Sequence, residues 1–241
     1  MLKSDEMKYL DSLMLDIETE LGNISIPFSD GKVVFGYGGS GAMGKYFSCK
    51  MIVDSVISVN DKILYSFTNA LKNSYSEEVL KDFDFFSKGG RKEFLAYYYL
   101  ENIIYRTSII WDYTAQLYNI FYNLGKDFDK IHYKTFFNNC GQSKKLRNNT
   151  SIQEMNIYFI ERDDTNLDDG KWKGNHNYTK KLRNEMTHRS AFNVTSISPM
   201  GTKLKPHPTF VLKRVLEDYN TGINFFKDIA LEVVKLKNEL V

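Results

Sequence analysis

The chain has 241 residues, of which 42% are hydrophobic and 15% aromatic, and its formal net charge is +2. That length gives one large domain or two small ones, with core enough to fold without disulfide staples, and so small a net charge excludes a generic polyanion binder. Cys49 and Cys140 form no CxxC, no run of apolar residues is long enough to span a membrane, and the first residues carry acids rather than a signal-type apolar stretch, so a cytoplasmic place is expected.

Most of the chain reads as helix. Met7, Leu10, Met14, Ile17 and Leu21 recur at spacings of three and four, with Ser4 or Asp5 as an N-cap and Gly22 as a stop. Ile24, Ile26 and Phe28 then alternate, Asp30-Gly31 offers a turn and Val33-Val34-Phe35 follows, so a small β-hairpin is expected, and after it a glycine-rich loop over 36–44. Helices are expected over 46–58, 61–73 and 76–87. Residues 91–124 contain no Pro and no Gly and are dense in large apolar side chains. They predict one helix buried on more than one side, about 45 Å long or more at 1.5 Å per residue.

Shorter helices are expected over 128–138 and 151–161, a polar loop over 162–175 and a helix over 177–189. A connecting loop over 190–208 holds three of the four prolines. The final helix, 209–239, has a packing seam of Leu212, Val215, Tyr219, Ile223, Phe226, Ile229, Val233, Leu236 and Leu240. No change of composition forces two domains. We read 1–241 as a single, mostly α domain with an N-terminal elaboration over 1–90 and a helical core over 91–241.

The chemistry concentrates in Lys180-Lys181-Leu182-Arg183-Asn184-Glu185-Met186-Thr187-His188-Arg189. Arg183 is a permanent cation able to hold a phosphate through two donors, and His188 can move a proton near neutral pH. Residues 171–190 carry six Lys or Arg and one acid, a local anion-attracting patch. Asn184 and His188 share a helical face, whereas Arg183 and His188 diverge by about 140° on a straight helix. A single copy therefore makes no tight site unless the helix ends near His188. Trp172 and Tyr178 flank the segment and can either stack a base or pack. Arg106 and Asp112, charges in an apolar helix, need partners, each other or a site. Lys144-Lys145-Leu146-Arg147-Asn148 echoes the basic segment but has Ile152 where the histidine would stand.

The order Arg, Asn, three residues, His resembles the signature of the HEPN superfamily of α-helical ribonucleases and nucleotide-binding domains. The resemblance covers roughly residues 90–240. It implies a long-helix bundle and a homodimer in which two motif copies face each other across one composite site. It also implies metal-independent cleavage of RNA (tRNA or mRNA), with Arg183, Asn184 and His188 catalytic. Lys180, Lys181 and Arg189 would contact the RNA backbone. No cofactor and no metal are expected. Such proteins act as toxins or in antiviral defence, with an antitoxin or regulatory partner. The alternative is a non-catalytic HEPN-like module that binds RNA, a nucleotide or a protein.

A rival lies in Gly39-Ser40-Gly41-Ala42-Met43-Gly44-Lys45, which has phosphate-loop spacing after the Val33–Phe35 stretch. Tyr46 stands where magnesium needs Ser or Thr, and the alternating strands of a parallel sheet are missing. Metal binding has still less to stand on. The histidines are scattered, and His207, between Pro206 and Pro208, reads as loop decoration.

Overall fold

The computed structural model describes residues 3–21, 41–164, 172–187, 191–198 and 201–238. Among these it has nine α-helices: α1 Lys3–Ser12, α2 Ile17–Leu21, α3 Ala42–Ser74, α4 Glu77–Asp82, α5 Arg91–Phe121, α6 Tyr133–Gln142, α7 Thr150–Ile160, α8 Asn175–Thr187 and α9 Pro208–Asn238. A 3-10 turn covers Phe128–Lys130, and β1 (Ser196–Ser198) pairs antiparallel with β2 (Gly201–Lys203) in the register Ser196 to Lys203. The fold is thus mostly α with one small two-stranded sheet.

The hairpin expected over 24–35 and the glycine loop before Gly41 lie outside the described residues. The sheet that is described falls in the segment read as a connecting loop. Its strands are three residues long and almost wholly exposed, too short and too little buried to announce themselves in the sequence.

The expected first helix is two. After Ser12 the chain leaves the helix, and the freed carbonyls find other donors: Asn220 donates to Leu13 O at 2.8 Å and Tyr219 to Leu15 O at 3.0 Å. Asp16 restarts the helix by accepting from Thr19 N at 3.2 Å and Thr19 Oγ1 at 2.8 Å, and these bonds hold its carboxyl below the usual range.

The helices expected over 46–58 and 61–73 are one. Tyr46, Cys49, Val53, Val56, Asn60, Ile63, Phe67, Ala70 and Ser74 are all buried and step alternately by three and four, a seven-residue repeat with no interruption. The expected helix over 76–87 is shorter. Ser76 caps α4 by accepting from Val79 N at 3.3 Å, and Phe83 is already extended. Its neighbour Glu78 reaches the start of the next helix, accepting from Lys92 N at 3.0 Å, a favourable place for a carboxylate. The long helix stands as expected in α5, and α6 begins five residues later than the expected 128.

The chain forms two compact units. One comprises residues 1–15, 62–108 and 157–221; the other comprises 16–61, 109–156 and 222–241. In the second, Trp111 stacks on Tyr133 with centroids 6.2 Å apart, and Asn119 pins the loop after α5 by donating to Lys126 O and accepting from Lys126 N. The basic segment and its surroundings belong to the first.

Candidate functional site

The site is built on α8. Gly174 precedes it with φ of +68°, and a Cβ there would stand 2.3 Å from the Arg162 carbonyl oxygen, so only glycine lets the chain enter the helix this closely. Its N–H donates to Glu161 Oε2 at 2.9 Å.

The first turn of α8 is then locked to α9 through polar groups. Arg214, fully buried, donates from Nε to Asn175 Oδ1 at 2.6 Å, from Nη1 to Asp163 Oδ1 at 2.6 Å and from Nη2 to Lys173 O at 2.9 Å. Its guanidinium also lies 4.3 Å from the Tyr178 ring centroid. Asn175 donates onward to Glu217 Oε2 at 2.8 Å, and Tyr9 donates to the other oxygen of that carboxylate at 3.0 Å. One turn along, Asp218 Oδ1 accepts from Tyr158 Oη at 2.9 Å and lies 3.3 Å from His176 Nδ1. Both His176 and Asp218 are buried. Burial, with Asp218 beside it, pushes the Tyr158 hydroxyl well up.

Sequence reasoning missed this network. Its one signal was Arg214 and Asp218 standing four apart in an otherwise apolar seam, a spacing that puts both on one helical face. It also settles the flanking aromatics. Tyr178 packs edge-on to Phe210 at 5.7 Å and takes Arg214 on its face, and Trp172 packs against Phe210 at 5.0 Å. These rings pack with α9.

The far end of α8 carries the basic segment. Lys180 and Arg183 are half-buried, and Lys181 and Asn184 are exposed. Glu185, the acid of the segment, is paired with Lys203 of β2 at 2.5 Å. Lys180, Lys181 and Arg183 make no ion pair and no side-chain hydrogen bond among the described residues. His188 and Arg189 lie outside the described residues, so the structure brings Arg183 and Asn184 together on α8 and describes no more of the expected triad.

Arg106 finds its partner within its own helix, donating from Nη1 to Asn102 O and Oδ1 at 3.1 and 2.8 Å. His207 is not loop decoration: its Nδ1 accepts from Thr209 N at 3.3 Å and so caps α9, ahead of Pro208 at the first helical position. The buried thiols of Cys49 and Cys140 are each pushed up to about 11 by desolvation, which suits packing rather than nucleophilic attack.

Lys45 of the rival glycine motif sits in the first turn of α3, where its N–H donates to Gly41 O, and its ammonium lies 4.5 Å from the Phe121 ring centroid. No group of three His, Cys, Asp or Glu side chains among the described residues is placed to hold a metal ion, and no described helix is long and apolar enough to cross a membrane. No family model, no curated protein and no solved structure matches this chain.

Proposed function

We propose that the protein is a metal-independent endoribonuclease of the HEPN type, acting as a homodimer in defence or in a toxin–antitoxin pair. One observation carries the reading. Arg183 is a half-buried guanidinium without a counter-charge among the described residues, on a helix whose own acid, Glu185, is already neutralised by Lys203. A partly desolvated arginine left in that state is suited to receive an anion, and a phosphodiester fits its two-pronged donor set. Asn184 stands beside it and His188 follows at the motif spacing.

The chemistry follows from these groups. His188 takes the proton of a ribose 2′-hydroxyl as that oxygen bonds to phosphorus. The departing 5′-oxygen takes a proton from water as the P–O5′ bond breaks, and in the composite site the imidazole of one copy works with the guanidinium of the other. Arg183 neutralises the charge that gathers on the non-bridging oxygens, and Asn184 orients the imidazole or the phosphate by hydrogen bonding. The products are a 2′,3′-cyclic phosphate and a 5′-hydroxyl. Lys180, Lys181 and Arg189 hold the flanking backbone. The anchoring of α8 by Arg214 supports such a site, because a charge-stabilising donor acts best when its element does not move.

The test is cleavage of total RNA and tRNA by purified protein in EDTA. Wild type should cut and leave cyclic-phosphate ends. Arg183→Ala and His188→Ala should each lose on the order of 100-fold or more, the usual size of such contributions, with unchanged circular dichroism. Full activity in either variant would sink the mechanism. No cleavage by wild type would move the reading to a binding module.

A further inference from the structure

Lys181 and Glu185 stand four apart on α8, neighbours on one helical face, and their charges suit an ion pair. They do not form it. Glu185 instead reaches Lys203 of β2, Oε2 to Nζ at 2.5 Å, with only 16% of the acid's side chain exposed. Lys181 is exposed and makes no ion pair among the described residues. Orientation is part of the reason. A base that precedes its acid by four residues is the weaker arrangement, because each charge then opposes the helix dipole.

The rest of the reason lies in the hairpin of β1 and β2, which shares a compact unit with α8. Thr195, just before β1, accepts from Lys205 N at 3.0 Å and donates to the Phe85 carbonyl. Lys205, two residues beyond β2, is buried and donates to Glu93 Oε1 at 2.6 Å and Ser87 O at 2.9 Å. Both ends of the hairpin are thus tied to the start of α5 and the loop before it. Lys203 stands at this anchored end, opposite Ser196 in the register of the sheet. Fixing a long side chain costs less entropy when its backbone is already held, so Lys203 is the better placed of the two competitors for Glu185.

We propose that Lys203 is a positioning residue for the RNA strand: by holding Glu185 it keeps Lys181 free to take a backbone phosphate. The inference rests on the ribonuclease reading for the identity of the anion. Once Lys203 is removed, the Glu185 carboxylate has Lys181 one turn away on α8, and the pair that forms cancels a positive charge on the face an anion approaches. Arg183 is two residues from Glu185 and does not face it, so the loss falls on Lys181. The hairpin therefore acts on RNA binding through the acid it removes from competition, without Lys203 itself touching the strand.

The experiment is anisotropy with a fluorescein-labelled, fully 2′-O-methylated single-stranded RNA, titrated at several salt concentrations. The 2′-O-methyl groups remove the attacking hydroxyl, so binding is read without cleavage. Lys203→Met should weaken binding on the order of fivefold and flatten the salt slope by about 0.7, the loss of one phosphate contact on a single strand. Lys203→Arg, which keeps the charge in place, should bind as wild type. Glu185→Gln/Lys203→Met should recover both affinity and slope, because no carboxylate remains to capture Lys181. Lys181→Ala should lose as much as Lys203→Met, and Lys181→Ala/Lys203→Met no more than either alone.

A lysine that contacted RNA itself would leave Glu185→Gln/Lys203→Met weak, and independent charges would make the Lys181 and Lys203 losses multiply. Either result overturns the proposal, as does wild-type binding by Lys203→Met. Glu185→Gln alone keeps every lysine and should bind at least as tightly as wild type. Weaker binding by that variant, with an unchanged thermal melt, overturns the proposal even where Lys203→Met fails to fold. Cleavage of unmodified RNA, measured in parallel, separates the two readings. Cutting by wild type with affinities indifferent to Lys203 removes the clamp and keeps the enzyme. The full pattern of affinities without any cutting removes the enzyme and keeps the clamp.

Discussion

Arg214 and Arg183 are the same side chain in opposite circumstances. Arg214 gives its Nε, Nη1 and Nη2 to an amide, a carboxylate and a carbonyl, and an aromatic face covers the guanidinium. Arg183 has no such partners among the described residues. The order of residues marked Arg183 because His188 stands near it in the chain. Arg214 gave no comparable signal, since its partners Asp163 and Asn175 lie 51 and 39 residues away. His207 was passed over for the same reason, because a cap is a matter of backbone geometry. Its behaviour with pH can be derived. Burial is the largest influence on its imidazole and lowers its pKa from 6.5, outweighing the pull of the Val79 carbonyl and Glu93 toward the charged form. The unfolded chain therefore binds the proton more readily than the folded one. Stability from this group is complete above about pH 6.5 and is lost as pH falls through the interval below it. The urea midpoint of wild type should fall between about pH 7.5 and pH 5.5 by more than that of His207→Asn, which keeps a capping acceptor and cannot titrate there. Parallel pH dependence in the two proteins would show that His207 does not titrate in this window.

Helices were legible where one period ran without punctuation, as in α5 and α9, because apolar spacing and the absence of glycine or proline are local properties. They were misread where a polar residue occupied a packing position. The break expected between 58 and 61 contains Asn60, yet this residue lies in the buried seam of α3. The reverse occurred at Asp16, where apolar spacing continued but the carboxylate captured the Thr19 N–H and began a new helix. Gly222 tests the same competition within α9. A glycine inside a helix costs about 1 kcal/mol relative to alanine, so its presence needs a reason. A Cβ there would stand 3.1 Å from the indole of Trp111, a buried ring stacked on Tyr133. Gly222→Ala should gain helix propensity and lose more to crowding, because overpacking a filled site costs about 1–3 kcal/mol and this ring has a neighbour behind it. The expected net effect is a destabilisation of about 1 kcal/mol by urea unfolding. Gly222→Ala combined with Trp111→Phe should recover part of it. A stabilised single variant would mean that the indole yields freely.

At the scale of the whole molecule, composition showed no break, and the structure explains why. Four of the five boundaries between the two compact units fall inside α3, α5, α7 and α9, so each of these helices contributes residues to both, and the fifth falls in the four residues between α1 and α2. A division of that kind leaves no linker to read. The surface polarity of such a chain is equally silent about assembly, but the proposed chemistry is not. If Arg183 and His188 of one copy act together with those of a second, Arg183→Ala and His188→Ala protomers are each deficient in a different part. Mixed and allowed to exchange, they should form hybrid dimers, about half of the total for random exchange of equal amounts in a twofold assembly. Each hybrid retains one guanidinium and one imidazole, on opposite protomers. Cleavage that is absent from both variants alone and returns on mixing would place the two groups across an interface. Its rate should fall on dilution as dimers part. If mixing restores nothing while wild type cuts at a rate per chain that dilution does not change, both groups act within one protomer. The helix end would then have to turn His188 back toward Arg183, because a straight helix would hold them about 140° apart.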